Sequence, residues 1–283
     1  TMMAAYYVND VVAPLKTMLE TDLAWSSTDF GFFTGGYSFL NVFFLMLIWG
    51  GLILDRFGIR FTGKLATILM VGGTALEYYA MTGLAGADAT LFGINEIFGY
   101  KTGVFVAFAG YSIFGVGAEV AGITVSKIIA KWFKGKELAT AMGVQVALAR
   151  IGSQAGYAVA IPLARAFGIS TPVLLGLVLL LGGMIAFFIF AVMDKKLDKQ
   201  MEAAAIAAGT EDEEEKFSFK DVKNILVNPG FWLIALLCVL FYSCVFPFQK
   251  FASELMIIKY GINENVAGTF AGLPALGALI LTP

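Results

Sequence analysis

Two ionisable side chains, Glu119 and Arg150, stand in the middle of long apolar segments of this 283-residue chain. Glu119 precedes Lys131, near the end of its segment, by twelve residues, and Arg150 follows Leu138, the start of the next segment, by twelve. If both segments are transmembrane helices, both charges lie roughly 18 Å from the same membrane face, at about 1.5 Å per residue. A charge at that depth costs about 2.5–3.5 kcal/mol and marks a functional site. The two side chains can pair, or can be held apart to bind the two ends of a zwitterion.

Other polar side chains recur at helical spacing on the same and neighbouring segments. Gln154 follows Arg150 by one helical turn, Tyr37 and Asn41 lie four residues apart on an earlier segment, and Asp10 lies on the first. Polar stripes on several helices are typical of a binding site near the middle of a membrane transporter. Ordinary hydrogen bonding between helices explains Tyr37 and Asn41 about equally well. The candidate substrate-binding residues are Glu119, Arg150, Tyr37, Asn41, Asp10 and Gln154.

The composition excludes several classes of protein. Hydrophobic residues make up 59% and charged residues 14%, well below the quarter or so typical of soluble domains, and mean hydropathy is +0.81. The sequence has no His, and its two cysteines, Cys238 and Cys244, lie in one apolar segment, so no metal site or disulfide framework is expected. No nucleophile–base constellation is visible, so we expect no enzyme and no cofactor. Net charge −2 without a basic stripe argues against nucleic acid as a partner.

Eight hydrophobic segments predict an all-α polytopic membrane protein whose partner is the lipid bilayer. The first is too short to cross a bilayer core of about 30 Å, and the eighth is still apolar at the last residue. We therefore expect a fragment of a longer protein. Pro247 is expected to interrupt the seventh segment. The segments cover about residues 1–13, 29–54, 61–84, 103–130, 138–163, 172–193, 229–258 and from 263 onward.

Lysine and arginine are distributed unevenly between the loops. If the loop at 55–64 is cytoplasmic, thirteen of the 19 Lys and Arg residues fall on the cytoplasmic side, five fall on the outer side, and Arg150 belongs to neither. This asymmetry agrees with the positive-inside rule, and the reverse orientation would violate it.

The charged stretch 194–228 divides the chain. It includes an acidic run at 211–215, expected to be solvated, and apolar residues near 219–226 at the spacing of an amphipathic surface helix. We therefore predict three parts. They are a six-helix transmembrane bundle over 1–193, an acidic cytoplasmic linker over 194–228, and the start of a second bundle, helices seven and eight, over 229–283.

The sequence Gly-Leu-Ile-Leu-Asp-Arg-Phe-Gly-Ile-Arg at 51–60 follows the second segment. Only Gly takes a positive φ freely, so Gly58 permits a tight reversal. Asp55 could accept backbone N–H groups from a neighbouring helix N-terminus. A hairpin that only fixes topology is the simplest interpretation. The run also resembles the signature loop between helices two and three of the major facilitator superfamily. That resemblance implies a twelve-helix transporter fold and a conformational gate loop, with the matching residues Gly51, Asp55, Arg56, Gly58 and Arg60.

Two further stretches, Trp-Phe-Lys-Gly-Lys-Glu-Leu at 132–138 and Ala-Arg-Ile-Gly-Ser at 149–153, sit beside Glu119 and Arg150. With the spacing between those two charges, they resemble the lysosomal dipeptide uniporter branch of the superfamily and its bacterial relatives. The resemblance implies that Glu119 faces the amino end of a peptide and Arg150 its carboxylate. The planar guanidinium of arginine suits a carboxylate.

These observations predict a secondary transporter that moves small solutes by alternating access. Dipeptides or short peptides are the leading substrate class. One alternative is a proton-coupled transporter of organic anions or nitrate-like ions, in which Arg150 binds the anion and Glu119 carries a proton. Another is a membrane receptor or scaffold that transports nothing. A multi-pass protein of a bacterial-type inner (plasma) membrane is expected, and an accessory subunit stays unspecified.

Overall fold

The computed structural model describes residues 1–86, 90–91, 93–133, 137–208 and 227–281, and this part of the chain is almost entirely helical. A 3₁₀ turn, Ala13–Leu15, joins the first two helices, and a small antiparallel hairpin pairs Glu96–Ile97 with Tyr100–Lys101. The helices are α1 (Met2–Val11), α2 (Lys16–Asp22), α3 (Ser27–Phe43), α4 (Met46–Thr82), α5 (Thr102–Trp132), α6 (Leu138–Phe167), α7 (Thr171–Ala208), α8 (Pro229–Tyr260), α9 (Glu264–Ala271) and α10 (Leu273–Leu281).

Within these described residues, three helices are long and apolar enough to cross a membrane: α5, Thr171–Gln200 of α7, and α8. The helices α3 and α4 meet the same criterion as a pair that is bent by 58°, which brings the number of spans to as many as four. This measure uses length and composition alone. Helix α6, which carries Arg150, is not among the helices that meet it.

The second predicted segment is divided into two helices, α3 and α4, at a position where the sequence does not predict a helix end. Helix α3 starts at a capping box, in which the Ser26 hydroxyl accepts a hydrogen bond from the Asp29 backbone and the Asp29 carboxylate accepts one from the Ser26 backbone. It ends at Phe43, and Leu45 then adopts a left-handed conformation with φ 50°. No Gly or Pro marks this break, so residue types alone do not predict it.

Gly58 is the point at which the chain reverses between the second and third predicted segments. Its φ is 75°, inside a run that is otherwise helical from Met46 to Thr82. Before this point Gly50 lies against Val120 of α5, and after it Gly73 lies against Phe114 of the same helix. The two halves of α4, before and after Gly58, therefore pack against the same helix in opposite directions. This agrees with the tight turn predicted at Gly58.

Two predicted features differ in the structure. The seventh segment is not interrupted, because α8 continues through Pro247. A proline inside a helix removes one backbone hydrogen bond and bends the helix without necessarily ending it. Helix α7 extends beyond Met193 to Ala208, and Asp194 is fully buried within it. The acidic run at 211–215 and the predicted surface helix near 219–226 lie outside the described residues, so the three-part division stays a prediction.

Helix α5 packs against both α3 and α4, while α1 packs against α6 and α7. Helices α9 and α10 pack against α6, and α8 contacts the Ala13–Leu15 turn and α2. The interior where these helices meet is aromatic, and the fully buried rings include Tyr7, Phe30, Phe33, Tyr111 and Phe114. Close helix contacts and large rings together fix where the polar side chains of α1, α3, α5 and α8 face one another.

Candidate functional site

Tyr37 is positioned beside Glu119 by a close crossing of α3 and α5. A Cβ on Gly115 would come within 3.0 Å of the Tyr37 backbone carbonyl, so only a residue without a side chain lets the two helices approach this far. One turn along α5, the Glu119 carboxylate accepts a 2.8 Å hydrogen bond from the Tyr37 hydroxyl. The sequence-predicted neighbours Tyr37 and Glu119 are therefore brought together.

Glu119 lines a cavity of about 610 Å³ between α1, α3, α5 and α8. Tyr37 and Asn41 also line it, as do Asn9 and Lys250. Among the described residues Glu119 has no ion-pair partner within 4.0 Å. The cavity therefore presents a carboxylate that is oriented by one hydroxyl and not neutralised by a neighbouring cation.

Arg150 lies in a different, smaller space. It lines a cavity of about 40 Å³ together with Asp10, Ser153 and Tyr157. The guanidinium Nε is buried and has no hydrogen-bond partner in the part of the chain that the structure describes. An arginine with an unsatisfied buried N–H donor is suited to donate a hydrogen bond to an anionic ligand.

The two charges singled out from the sequence do not pair in this structure. No ion pair within 4.0 Å joins Glu119 to Arg150 within the described ranges. Their two cavities adjoin, because Tyr6, Asn9 and Phe246 line both. Direct pairing, one of the two arrangements that the sequence left open, is thus not seen among the described residues, and binding of a zwitterion between the two charges stays a prediction.

The other candidate residues have separate placements. Asp10 is buried, accepts a 2.9 Å hydrogen bond from the Asn9 side chain, and faces Arg150's cavity. Asn41 donates to the Tyr37 backbone carbonyl at 2.9 Å, and its own side-chain oxygen is buried without a partner in the described residues. Gln154 lies against Gly272 and is not among the residues that line either cavity.

Two residues with ionisable side chains, Tyr6 and Lys250, line the larger cavity but were not among the substrate-binding residues proposed from the sequence. Tyr6 lies one helical turn before Asp10, so an extended polar stripe on α1 would have found it. Lys250 lies three residues after Pro247, a position from which the sequence predicts the lining of an outer gate. The structure places it inside, where its ammonium group donates to the Asn9 carbonyl at 2.6 Å.

The loop around Gly58 makes contacts at the end of the bundle predicted to be cytoplasmic. Asp55 pairs with Lys127 at 2.8 Å, so its described partner is a side chain and not the helix N-terminus that the sequence suggested. Arg60 donates to Asp198 at 2.7 Å and approaches Asp194 at 3.4 Å. Gly51 and Arg56 flank the same turn, with Arg56 exposed and 5.6 Å from the centre of the Phe57 ring. The loop is thus tied to both α5 and α7.

The opposite end of the bundle carries ion pairs that join distant parts of the chain. Lys16 pairs with Glu20 at 2.7 Å and also with Glu254 of α8. Arg165, at the end of α6, pairs with Glu264 of α9. These ion pairs connect α2 to α8 and α6 to α9 at this end of the bundle.

A further cavity of about 750 Å³ is almost wholly apolar. It lies between the start of α1, the end of α5, the first part of α6 and the middle of α7, and neither Glu119 nor Arg150 lines it. Among the described residues, no group of three or more Asp, Glu, Cys or His residues has the geometry of a metal site. The polar chemistry of the described residues therefore centres on the two adjoining cavities.

Comparisons with known proteins all match this chain to membrane transporters. A family profile, the Major Facilitator Superfamily, matches residues 1–283. A protein from Homo sapiens described as "Lysosomal dipeptide transporter MFSD1" is 27% identical over an alignment of 277 residues that covers 93% of this chain and 53% of that protein. The protein of the same description from Gallus gallus is 33% identical over an alignment of 171 residues that covers 56% of this chain and 36% of the relative. The chain thus spans about half the length of its full-coverage curated relatives.

Among solved structures, a crystal structure described as a D-xylose-proton symporter superposes with a TM-score of 0.58. It shares 15% sequence identity and covers 99% of this chain and 64% of its own. At that identity the likeness establishes the fold alone. Together with the family profile over the whole chain, the helical architecture and the reversal at Gly58, it shows that this multi-pass membrane protein belongs to the Major Facilitator Superfamily.

Proposed function

We propose that the protein moves small zwitterionic solutes, and short peptides in particular, across a membrane by alternating access. Membership of the superfamily and the descriptions of the curated relatives support this proposal. The cavity volume of about 610 Å³ lies in the range of about 300–1,000 Å³ that is usual for small-molecule sites. A membrane of the bacterial inner type is part of the same proposal.

The observation that carries the proposal is the state of the Glu119 carboxylate. It faces the cavity, it is oriented by the Tyr37 hydroxyl at 2.8 Å, and no cation of the described residues pairs with it. A carboxylate placed in a membrane interior without a counter-ion is costly unless a ligand supplies the charge. The ammonium group of a peptide is a ligand of that kind.

Arg150 is proposed to serve the opposite end of the solute. Its guanidinium has an unsatisfied Nε and lies beside Asp10 in the adjoining cavity. That space holds only about 40 Å³, little more than the roughly 30 Å³ that one liquid water molecule occupies. Arg150 therefore requires a movement of the surrounding helices before it can receive a solute carboxylate.

The loop around Gly58 is proposed to hold one conformation of the cycle. Its ion pairs, Asp55 with Lys127 and Arg60 with Asp198, connect α4 to α5 and α7 at one end of the bundle. Ion pairs that must separate when helices tilt stabilise one of the two states relative to the other. Substitutions there are expected to change the balance between inward-facing and outward-facing states without removing the solute site.

Uptake of a labelled dipeptide into proteoliposomes tests the function, with the full-length protein used throughout. We expect Arg150→Ala and Glu119→Gln each to abolish uptake, because each removes a charge that has no substitute at its position. Glu96→Gln, at an exposed position in the hairpin between α4 and α5, is the matched control and should transport normally. Folding is monitored by size-exclusion profile and thermal unfolding. Unchanged peptide uptake in the Arg150→Ala and Glu119→Gln proteins would refute the proposed roles.

The same proteoliposomes distinguish the proton-coupled alternative. A uniporter of zwitterions moves solute down its own gradient, so an imposed pH difference should leave uptake unchanged. An organic-anion transporter in which Glu119 carries a proton should depend on that pH difference and accept acids that lack an amino group. A receptor or scaffold would bind a solute without moving it, which equilibrium binding measured beside uptake would reveal.

A further inference from the structure

The residues that line the 610 Å³ cavity include two charged side chains, Glu119 on α5 and Lys250 on α8. Arg150 is not among them. A zwitterion inside this cavity therefore meets one anion and one cation, contributed by helices that are far apart in the sequence. We propose that Lys250 binds the carboxylate of the solute in this conformation, opposite Glu119. The inference rests on the proposed function and specifies the second half of its binding site.

The Lys250 ammonium group is held by neutral acceptors. It donates to the Asn9 backbone carbonyl at 2.6 Å and to the Tyr111 hydroxyl at 3.1 Å. A lysine ammonium has three N–H donors, so these contacts leave one donor without an acceptor among the described residues. The free donor is available to a carboxylate that enters the cavity.

The acidic groups around Lys250 do not occupy that donor. The Asp10 carboxylate lies 3.9 Å from the ammonium nitrogen, beyond hydrogen-bonding distance, and already accepts from the Asn9 side chain at 2.9 Å. Glu77 of α4 is the other acidic group whose charge reaches Lys250, and both its oxygens are buried without a described partner. Lys250 is thus close to negative groups but directly paired with none of them, a geometry in which an incoming carboxylate gains a contact that the protein itself does not make.

The placement of Asp10 gives this arrangement a second consequence. Asp10 lines the cavity of Arg150, and its carboxylate also lies 3.9 Å from the Lys250 ammonium nitrogen, too far for a hydrogen bond. Its negative charge therefore competes with a solute carboxylate for Lys250. A change that removes the Asp10 charge but keeps its size should strengthen the binding of free carboxylates, which is an effect that damage to the fold would not produce.

A solute bound to both Glu119 and Lys250 also couples binding to the relative movement of α5 and α8. Glu119 belongs to α5, and Lys250 belongs to α8, which contacts the first helices chiefly through the Ala13–Leu15 turn and α2. A solute held at both ends links two helices that must move relative to one another in alternating access. A solute that lacks one of its charges would bind at one end only and should be moved less well.

The test compares a dipeptide that has a free carboxylate with the same dipeptide as its C-terminal amide, using full-length protein and equilibrium binding. Wild-type protein is expected to prefer the free carboxylate by at least tenfold. In Lys250→Gln that preference should fall to within about twofold, while binding of the amide stays unchanged. Lys250→Arg should retain the preference, and Asp10→Asn should increase the affinity for the free carboxylate. Lys259→Gln, an exposed lysine on the same helix, is the matched control and should behave as wild type.

The binding measurements separate failure of the Lys250 inference from failure of the proposed function. If Lys250→Gln keeps the wild-type preference for the free carboxylate, the inference about Lys250 is wrong, although the proposed function stands as long as Glu119→Gln still weakens binding. If the wild-type protein binds neither peptide, both the solute class and the inference are overturned. A parallel loss of affinity for the free acid and the amide in Lys250→Gln would also contradict it, since that pattern reports a damaged cavity.

Discussion

The Tyr37–Glu119 hydrogen bond is the best-defined polar contact in the candidate site. Its length of 2.8 Å and its place between α3 and α5 depend on the close approach of those helices at Gly115. A hydrogen bond to a charged group contributes about 1.5–3 kcal/mol, twice or more the usual amount. The hydroxyl therefore fixes the direction in which Glu119 presents its carboxylate to the cavity.

Tyr37→Phe removes that hydroxyl and leaves the ring. We expect the affinity for a zwitterionic peptide to fall about tenfold, on the order of 1.4 kcal/mol, because Glu119 loses its orientation before the solute arrives. The measurement is the dissociation constant of a dipeptide. Tyr79→Phe, at an exposed position on α4, is the control. Equal affinities for wild type and Tyr37→Phe would show that Tyr37 does not position Glu119.

At the scale of elements, α4 and α5 cross with their backbones close together at Gly73. A Cβ on Gly73 would come within 3.0 Å of backbone atoms of Phe114 and Gly110, whereas Gly72, the preceding residue, has nothing within 4 Å. Backbone atoms cannot move aside as a flexible side chain can, so the two neighbouring glycines should respond very differently to the same change.

Gly73→Ala is expected to lower the free energy of unfolding by about 1–3 kcal/mol, the usual range for overpacking a well-packed interface. Gly72→Ala should leave stability unchanged or raise it slightly, because alanine favours helix over glycine. Thermal unfolding of the two variants in detergent measures the difference. Similar unfolding temperatures for both would mean that α4 and α5 do not cross as closely as described.

A second element-scale contact joins α7 to the end of α5. Asp194 is fully buried and accepts hydrogen bonds from Lys131 at 2.8 Å and from the Trp132 indole at 3.0 Å, while Asp198 is 38% exposed and pairs with the same lysine. Removing the Asp194 charge takes away the buried partner of Lys131 and leaves it only the more exposed Asp198 carboxylate.

Asp194→Asn should therefore destabilise the protein by about 3 kcal/mol, the lower end of the range for a broken buried ion pair. Asp198→Asn, one turn further along α7, should cost less than about 1 kcal/mol, because the exposed carboxylate is screened by water. Chemical unfolding of both variants tests the contrast. A larger effect at Asp198 would contradict the burial assigned to Asp194.

At the scale of the whole molecule, ion pairs join distant parts of the chain at the end of the bundle predicted to be outer. Lys16 pairs with Glu20 and Glu254, and Arg165 pairs with Glu264. The hydrogen bond from Lys16, followed by the one from Ser27 at 2.6 Å, lowers the pKa of Glu20 below its usual value of 4.5. The Lys16–Glu20 ion pair is therefore sensitive to acid.

The sign of the pH effect follows from the direction of that shift. A carboxyl whose pKa is lowered in the folded state adds stability above its ordinary pKa, and this stability is lost as the pH falls through the lowered value. We expect wild-type protein to be more stable than Glu20→Gln at pH 7, and the difference to vanish as the pH drops below about 4.5. Thermal unfolding of both proteins from pH 7 to pH 3 measures it. A difference that grows on acidification would contradict the assigned ion pair.

Residue type alone is enough to predict several features of the protein. Uncharged segments of about twenty residues favour helices in a membrane, and the turn at Gly58 was predicted because a reversal with φ 75° suits glycine. Glu119 and Arg150 were found because charges are rare and costly at that depth. The break at Leu45 was not predicted, because neither its residue type nor its neighbours favour a left-handed conformation.

Which polar groups share one cavity depends on how the helices pack. Equal depth on two consecutive helices suggested that Glu119 and Arg150 could meet, but depth says nothing about the rotation of a helix or about what lies between two helices. In the structure Tyr6 and Asn9 of α1 line both of their cavities, and α8 brings Lys250 into the cavity that Glu119 lines. Such contacts between residues more than one hundred positions apart depend on how helices pack, and spacing along the sequence carries no record of that.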